Sequence, residues 1–395
     1  MLDVTVARRL RLVVLAAIAV LMFSGLTSTE AQSISDSRRR VWATHIAQLL
    51  REPPGWAQVE HHETEDLAFS PDDQRLAVTI THHELSPDKK LRSNVHVFVF
   101  DEHSRETDVH QFDLFERCGS GLAWNETGSA LLVCGTVLRL ADGGSCYPVN
   151  LASVARKSIR PTVLWLDSEH IVLSQTGEIL DMACTQVGKW PLEPGWRIGA
   201  VADSKNWVLL EHCEQHPPNW ACEYSIVDSV SSHALLGWPA KKSPWGASPM
   251  LAVGAEVLCL QLLEGKNVTN GRLHCWAIKG GNEIPVPKKA RKTVPNQAAT
   301  FSARAIVEKW EYDRDPWWNQ LLFWWVPVPG FPPLPRQRVV LDLRSGQWIS
   351  AWKPRIQDSH SPYITDHAYH CALSARGDLV AESGDGEVDL HRLAP

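Results

Sequence analysis

The sequence predicts an all-β fold of seven similar units, on three observations. Helical periodicity is scarce after residue 52, where short apolar runs alternate with turn residues. A strand–turn–strand phrase then recurs along the chain. Its copies stand 36 to 72 residues apart, a spacing that accommodates four short strands each time. Together these describe a β-propeller of seven blades, mostly four-stranded and antiparallel, preceded by a short N-terminal helix.

In chain order, residues 1–31 read as a targeting segment. Arg8, Arg9 and Arg11 form a positive region, Leu12–Leu26 is an apolar run, and Thr29-Glu30-Ala31 offers a small-x-small cleavage pattern before Gln32. The apolar run of 15 residues is short for a membrane span, which needs about 20. A cleaved export signal is expected, with an uncleaved membrane anchor as the alternative. Residues 32–54 read as a helix and linker. Ser37–Arg51 carries Val41, Ile46, Leu49 and Leu50 on a helix-forming background and stops at Pro53-Pro54.

Residues 55–395 hold the repeats. The clearest copy is Leu67–Val78, the second Leu122–Val133 and the third Cys371–Ala381. Each is an apolar strand, a tight polar turn rich in Pro, Asp, Asn or Gly, and a second apolar strand. With four fainter copies, the residue before each turn gives seven anchors: Phe69, Trp124, Leu166, Ala202, Val253, Phe301 and Leu373. Further strands follow, such as Val95–Phe100 before Asp101, and Val339–Trp348 with its D-x-x-S-G turn at Asp342–Gly346. Only 22 residues remain after Leu373, so the last blade needs a strand from elsewhere. Trp56–His61 is expected to supply it and close the ring, removing open sheet edges.

The S-P-D-x-x-x-L-A phrase at Ser70–Ala77, followed by a strand ending in Asp, resembles the WD-repeat-like and Tol-type β-propellers of bacterial secreted proteins. The resemblance covers residues 55–395. It implies the propeller fold and leaves the function open. The chain departs from the strict WD repeat: no blade closes a strand with Trp-Asp, and none begins one with Gly-His.

The chain has 395 residues and a formal net charge of −6, which argues against a dedicated nucleic-acid binder. No nucleic-acid partner and no cofactor is expected. The nine cysteines all follow residue 31, and in an exported chain disulfides are the default. Cys213 and Cys222 flank Pro217-Pro218 as facing hairpin positions would. Cys259 and Cys275 centre on Asn267, and Cys118 and Cys134 bracket the turn at 125–128. An odd count leaves at least one thiol without an intrachain partner.

Catalytic signatures are missing: there is no G-x-S-x-G, no H-E-x-x-H and no phosphate-binding loop motif. His61-His62, His82-His83 and the group His360, His367 and His370 suggest metal ligation. Adjacent strand residues point to opposite faces, however, so no metal site is expected. The run Lys288-Lys289-Ala290-Arg291-Lys292 reads as a solvated inter-blade linker. Asn125-Glu126-Thr127 and Asn267-Val268-Thr269 match the glycosylation pattern. The most distinctive stretch is residues 311–336, expected to be an insertion outside the ring. It carries Trp317, Trp318, Trp324 and Trp325, read as candidate binding residues because clustered Trp can anchor a partner.

The functional expectation is a non-catalytic extracytoplasmic scaffold, periplasmic or secreted, that binds a protein or cell-envelope partner. The alternative is an enzyme or ligand-binding propeller, glycan-active or quinoprotein-like, with its site at the central channel.

Overall fold

The computed structural model describes residues 38–45, 61–85, 91–101, 108–114, 121–148, 163–216, 219–231, 233–244, 249–263, 271–288, 290–311, 334–354, 370–384 and 387–394. Among them, 28 strands form seven four-stranded antiparallel sheets. The first strand, β1 (Arg39–His45), belongs to the last blade. Blade 1 is β2 (His61–Phe69), β3 (Arg75–Leu85), β4 (Leu91–Asp101) and β5 (Asp108–Leu114). Blade 2 is β6 (Leu122–Trp124), β7 (Ala130–Val133), β8 (Thr136–Arg139) and β9 (Ser145–Cys146). Blade 3 is β10 (Val163–Trp165), β11 (His170–Leu173), β12 (Glu178–Asp181) and β13 (Gln186–Lys189). Blade 4 is β14 (Trp196–Ala202), β15 (Trp207–His216), β16 (Asn219–Asp228) and β17 (Ala234–Pro244). Blade 5 is β18 (Met250–Ala252), β19 (Val257–Leu263), β20 (Gly271–Ala277) and β21 (Glu283–Ile284). Blade 6 is β22 (Thr293–Ala298), β23 (Arg304–Glu311), β24 (Leu334–Asp342) and β25 (Trp348–Trp352). Blade 7 is β26 (Cys371–Leu373), β27 (Leu379–Gly384), β28 (Glu387–Arg392) and β1.

Both faces of a blade are covered by its neighbours, so its strands read as continuous apolar runs rather than alternating ones. Period-two geometry then sends successive side chains to opposite seams. Leu131 and Val133 pack toward blade 1, while Leu132 between them packs toward blade 3. Seven apolar layers result, one at each seam, and the layer joining blades 7 and 1 closes the ring. Consecutive strands pair as hairpins. The turns between first and second strands and between third and fourth strands therefore share one end of the ring. The tips joining second to third strands, and the connections between blades, share the other.

The anchors read from the sequence hold. Six lie within one residue of the end of a first strand. Phe301 lies three residues past β22, inside a longer turn.

The start of the chain differs from expectation in two respects. Arg39–His45 is a strand, not part of a helix over 37–51. This strand, rather than Trp56–His61, supplies the fourth strand of blade 7; His61 opens β2 instead. Pairing with β28 overrides the local helix preference, because β28 would otherwise present an open edge. Trp42 packs into the seam between blades 7 and 1, its ring 5.3 Å from that of Phe100.

Arg38 ties this closing strand to two blades. Its Nη1 donates to Glu382 Oε2 at 3.0 Å, and its guanidinium lies 4.2 Å over the Trp352 ring of blade 6. Glu382 Oε1 also accepts from Arg338 Nη1 at 3.0 Å and from Trp352 Nε1 at 2.9 Å. Arg338, fully buried, donates its Nε to Glu308 Oε1 at 2.9 Å. Two arginines and two glutamates thus compensate each other inside the seam between blades 6 and 7.

Among the cysteines whose partner is also described, three disulfides join Cys213 to Cys222, Cys259 to Cys275, and Cys146 to Cys184. The first two are the expected hairpin pairs, directly opposite in the β15/β16 and β19/β20 registers. The third links blade 2 to blade 3 and was not expected. Cys134 is disulfide-bonded too, and Cys118 lies outside the described residues. Cys371 is a free thiol, and burial pushes it up to about 12. Three disulfides are the bonding of an oxidising environment.

Aspartates shape the turns between third and fourth strands and give the fold an acid limit. At Asp342 partial burial opposes ionisation. Hydrogen bonds from the Ser345 N–H (2.7 Å) and hydroxyl (2.9 Å) and from the Arg344 N–H (3.0 Å) outweigh it, holding the carboxyl below its ordinary 3.8. Asp228 is lowered by the Ser231 N–H and hydroxyl, and Asp142 by Arg139 and the Gly144 N–H. A carboxyl lowered by folding stabilises the native state fully above the unfolded value and loses that contribution as pH falls through its lowered value. Asp73 runs the other way, since burial raises it; its contribution is present below 3.8 and lost as pH rises through its raised value. The lowered group is the larger. The melting temperature is therefore expected to fall steadily below about pH 4. Asp342→Asn, which keeps an acceptor oxygen but not the charge, should flatten that fall in thermal scans between about pH 2 and 7. An identical pH profile would contradict it.

Candidate functional site

The ends of the seven first strands converge on a cavity of about 330 Å³ at one mouth of the ring. All seven sequence anchors line it: Phe69, Trp124, Leu166, Ala202, Val253, Phe301 and Leu373. The convergence follows from the fold. Each anchor lies at or just beyond the end of the first strand of its blade, so a repeat that is linear in sequence becomes a circle of residues around one axis.

The aromatic members are fixed by their polar edges. Trp124 Nε1 donates to the Ala68 carbonyl at 2.9 Å, and Trp165 Nε1 to the Ala123 carbonyl at 3.0 Å. In both cases the acceptor belongs to the preceding blade, so the polar edge of each indole ties it across a seam. Phe301 is held by its backbone, its N–H donating to the Ala375 carbonyl of blade 7 at 2.8 Å. Phe301 is 59% exposed, a large apolar residue left in solvent at the lip of the cavity.

Latches between neighbouring turns make this mouth rigid. Asp73, in the left-handed region at φ 62°, accepts from the Ala375 N–H at 2.5 Å and the Arg376 N–H at 2.9 Å. Arg75 donates to the Gly128 carbonyl at 2.6 Å while its guanidinium sits 4.7 Å over the Trp124 ring. Asn125 Nδ2 donates to the Ser168 carbonyl at 2.8 Å, and Arg304 to the Gly377 carbonyl at 2.9 Å. Two acids, Glu126 and Asp167, also line the cavity. Partial burial opposes ionisation of Asp167, but the Glu169 and His170 N–H groups and the His170 ring outweigh it, so its carboxyl stays below the ordinary value. The cavity thus offers aromatic faces, a partly exposed phenyl ring and an acidic side.

The other sequence candidates divide. Trp317, Trp318, Trp324 and Trp325 fall in residues 312–333, which connect β23 to β24 and lie outside the described residues. Among the histidines, the β2/β3 register sets His61 opposite His83 and His62 opposite His82. His370 Nδ1 lies 3.8 Å from Asp66 Oδ1, and His360 and His367 lie outside the described residues. Among the described residues, no group of three His, Cys, Asp or Glu side chains could hold a metal ion. Asn125 is fully buried and spent on hydrogen bonds, so its sequon is closed in the folded chain; Asn267 lies outside the described residues.

No protein-family model and no curated protein sequence matches the chain. Among solved structures it is similar to a chain of the mitotic checkpoint complex, at 12% identity and a TM-score of 0.48, over 88% of this chain and 98% of that one. It is also similar to the C-terminal WD40 domain of Sif2, at 10% identity and a TM-score of 0.46, over 91% of this chain and 99% of that one. These are likenesses of fold; the propeller itself is defined by its seven sheets and seven closed seams.

Proposed function

We propose that this chain is a non-catalytic binding propeller of an extracytoplasmic compartment, and that a protein or cell-envelope partner inserts an apolar side chain at its mouth. The observation that carries the reading is the convergence of all seven anchors on one cavity with aromatic members and a mixed polar and apolar lining. A cavity of about 330 Å³ suits a side chain rather than a folded surface. Rigid rings such as Phe301 give contact area at small entropic cost. The export-type N-terminal sequence and the three disulfides support the compartment. Trp317 and Trp318, with Trp324 and Trp325, form a second contact in the connection between β23 and β24.

Phe301→Ser tests the mouth. The ring is in solvent, so stability should change by no more than about 0.5 kcal/mol. Partner affinity should fall about tenfold or more if the ring is an anchor. Thermal melting and titration against partner isolated with the wild-type protein read the two effects separately. The Trp317→Ala, Trp318→Ala double mutant in the same assays tests the second contact. A variant at Phe301 that melts early, or one that binds as well as wild type, would contradict the reading of the mouth.

A further inference from the structure

The mouth does not end at its own rim. On the side of blades 2 and 3, the turns that line it also line a second cavity, of about 440 Å³, with their next residues. Asp167 lines the first cavity and Ser168 and Glu169 the second; in the same way Glu126 lines the first and Thr127 and Ser129 the second. The far wall is the turn after β12, Asp181–Ala183. The two cavities therefore share two turns as a common wall. Together they make a track from the axis of the ring outward over the seam between blades 2 and 3. The Cys146–Cys184 disulfide joins the two blades beside the far wall, with Cys146 Sγ 3.4 Å from the Met182 carbonyl, so the seam is fixed there.

The second cavity is rich in acceptors. Glu169 is exposed; its N–H donates to Asp167, and its carboxylate has no partner among the described residues. Asp181 spends one oxygen on the Ala183 and Thr185 N–H groups, at 2.9 and 2.8 Å. The Thr127 and Ser129 hydroxyls lie 2.8 Å apart and keep lone pairs to offer. The cation in the lining, Arg139, is already engaged. Its Nε and Nη2 donate to Asp142 at 3.2 and 3.0 Å, and its Nη1 to the Met182 carbonyl at 3.4 Å. The mouth itself has no Lys or Arg among its lining residues. An acceptor-rich track beside an aromatic mouth disfavours a carboxylate and suits a cation on a hydrocarbon stem, which is what Lys and Arg present. In an extended segment, residues i and i+2 share a face about 6–7 Å apart, so an anchor at i in the mouth brings i+2 over the shared wall.

We propose that the segment bound at the mouth carries a Lys or Arg two residues from its apolar anchor, held over the seam of blades 2 and 3 by Glu169 and Asp181; this rests on the reading of the mouth as the binding site. The test is calorimetric titration of the disulfide-bonded protein, at low salt, with the end-blocked tripeptides Phe-Gly-Lys, Phe-Gly-Gln and Phe-Gly-Glu and their reversed sequences. In the order that fits the track, the Lys peptide should bind about tenfold more tightly than the Glu peptide, with Gln between them. Salt at about 0.5 M should shrink that ratio. Glu169→Gln should cut it to about threefold or less, and Glu169→Arg should invert it. The residue is exposed, so both variants should melt as the wild-type protein does. Phe301→Ser should weaken every peptide and leave the ratio unchanged, which separates the anchor from the cation. Equal affinities for the Lys and Glu peptides, or a preference that both Glu169 variants leave untouched, would overturn the proposal and leave the mouth standing. If no peptide binds at millimolar concentration, the reading of the mouth falls and the proposal with it.

Discussion

Replacing Glu382 by alanine is expected to destabilise the protein by about 3–5 kcal/mol, the range for breaking a buried ion pair from one side. This carboxylate serves three donors at once: Arg338 and Trp352 on one oxygen and Arg38 on the other. Its loss removes one carboxylate partner of Arg338 and the ion pair that holds Arg38 at 8% side-chain exposure. The damage should spread beyond the seam, because Arg38 leads directly into the strand that closes the ring. Urea denaturation gives the magnitude, and amide exchange along Arg39–His45 should accelerate before global unfolding. Glu382→Gln, which keeps one acceptor oxygen, should lose less. A Glu382→Ala change under about 1 kcal/mol would mean that the cluster contributes little to closure.

Asn125→Ala is expected to cost about 2–4 kcal/mol, combining unpaired buried groups with a small cavity. The Asn125 side chain is fully buried. Its Oδ1 accepts from the Ser129 and Ala130 N–H groups at 2.9 Å each, and its Nδ2 lies within 3.0 Å of the Thr127 and Ser129 hydroxyls and reaches the Ser168 carbonyl of blade 3. Asn125→Asp should fare no better, since it removes the donors and buries a charge. Denaturant melts of the two variants check this. The same geometry means that protein folded in a glycosylating host should carry no glycan at this position, which peptide mass mapping can read. A glycan there, or a melt unchanged in Asn125→Ala, would contradict the burial.

What was legible in the sequence is what is local. Phe69, Trp124 and Leu373 each end a strand within a dozen residues of their turn and partner strand, so pattern alone placed them. Cys213–Cys222 and Cys259–Cys275 were legible for the same reason, being symmetric about their own hairpins. The features that were missed depend on distant partners. Arg39–His45 has helix-forming composition and becomes a strand only because Glu387–Arg392 lies beside it, some 345 residues on. Cys146 and Cys184 belong to different blades, and no hairpin symmetry announces them. Arg338 in a strand reads as a solvated edge residue until Glu308 and Glu382, 30 and 44 residues away, are seen to enclose it. The mouth was half legible. The anchors were identified as strand ends, and that strand ends form a wall followed only once the ring was closed.

The most direct test of the mouth as the binding site is site-specific photo-crosslinking. A photoreactive phenylalanine analogue is placed at Phe301, at the lip of the cavity, and in a second protein at Val230. Val230 is 81% exposed, lies in a turn between third and fourth strands and does not line the cavity. The two proteins are irradiated in native envelope or secreted extract, and the adducts are separated by mass. The account predicts a discrete adduct from position 301 that is absent from position 230 and is lost when Phe69 and Trp165 are also replaced by serine. The same adducts from both positions, or none from position 301 under conditions where the wild-type protein retains its partner, would contradict it.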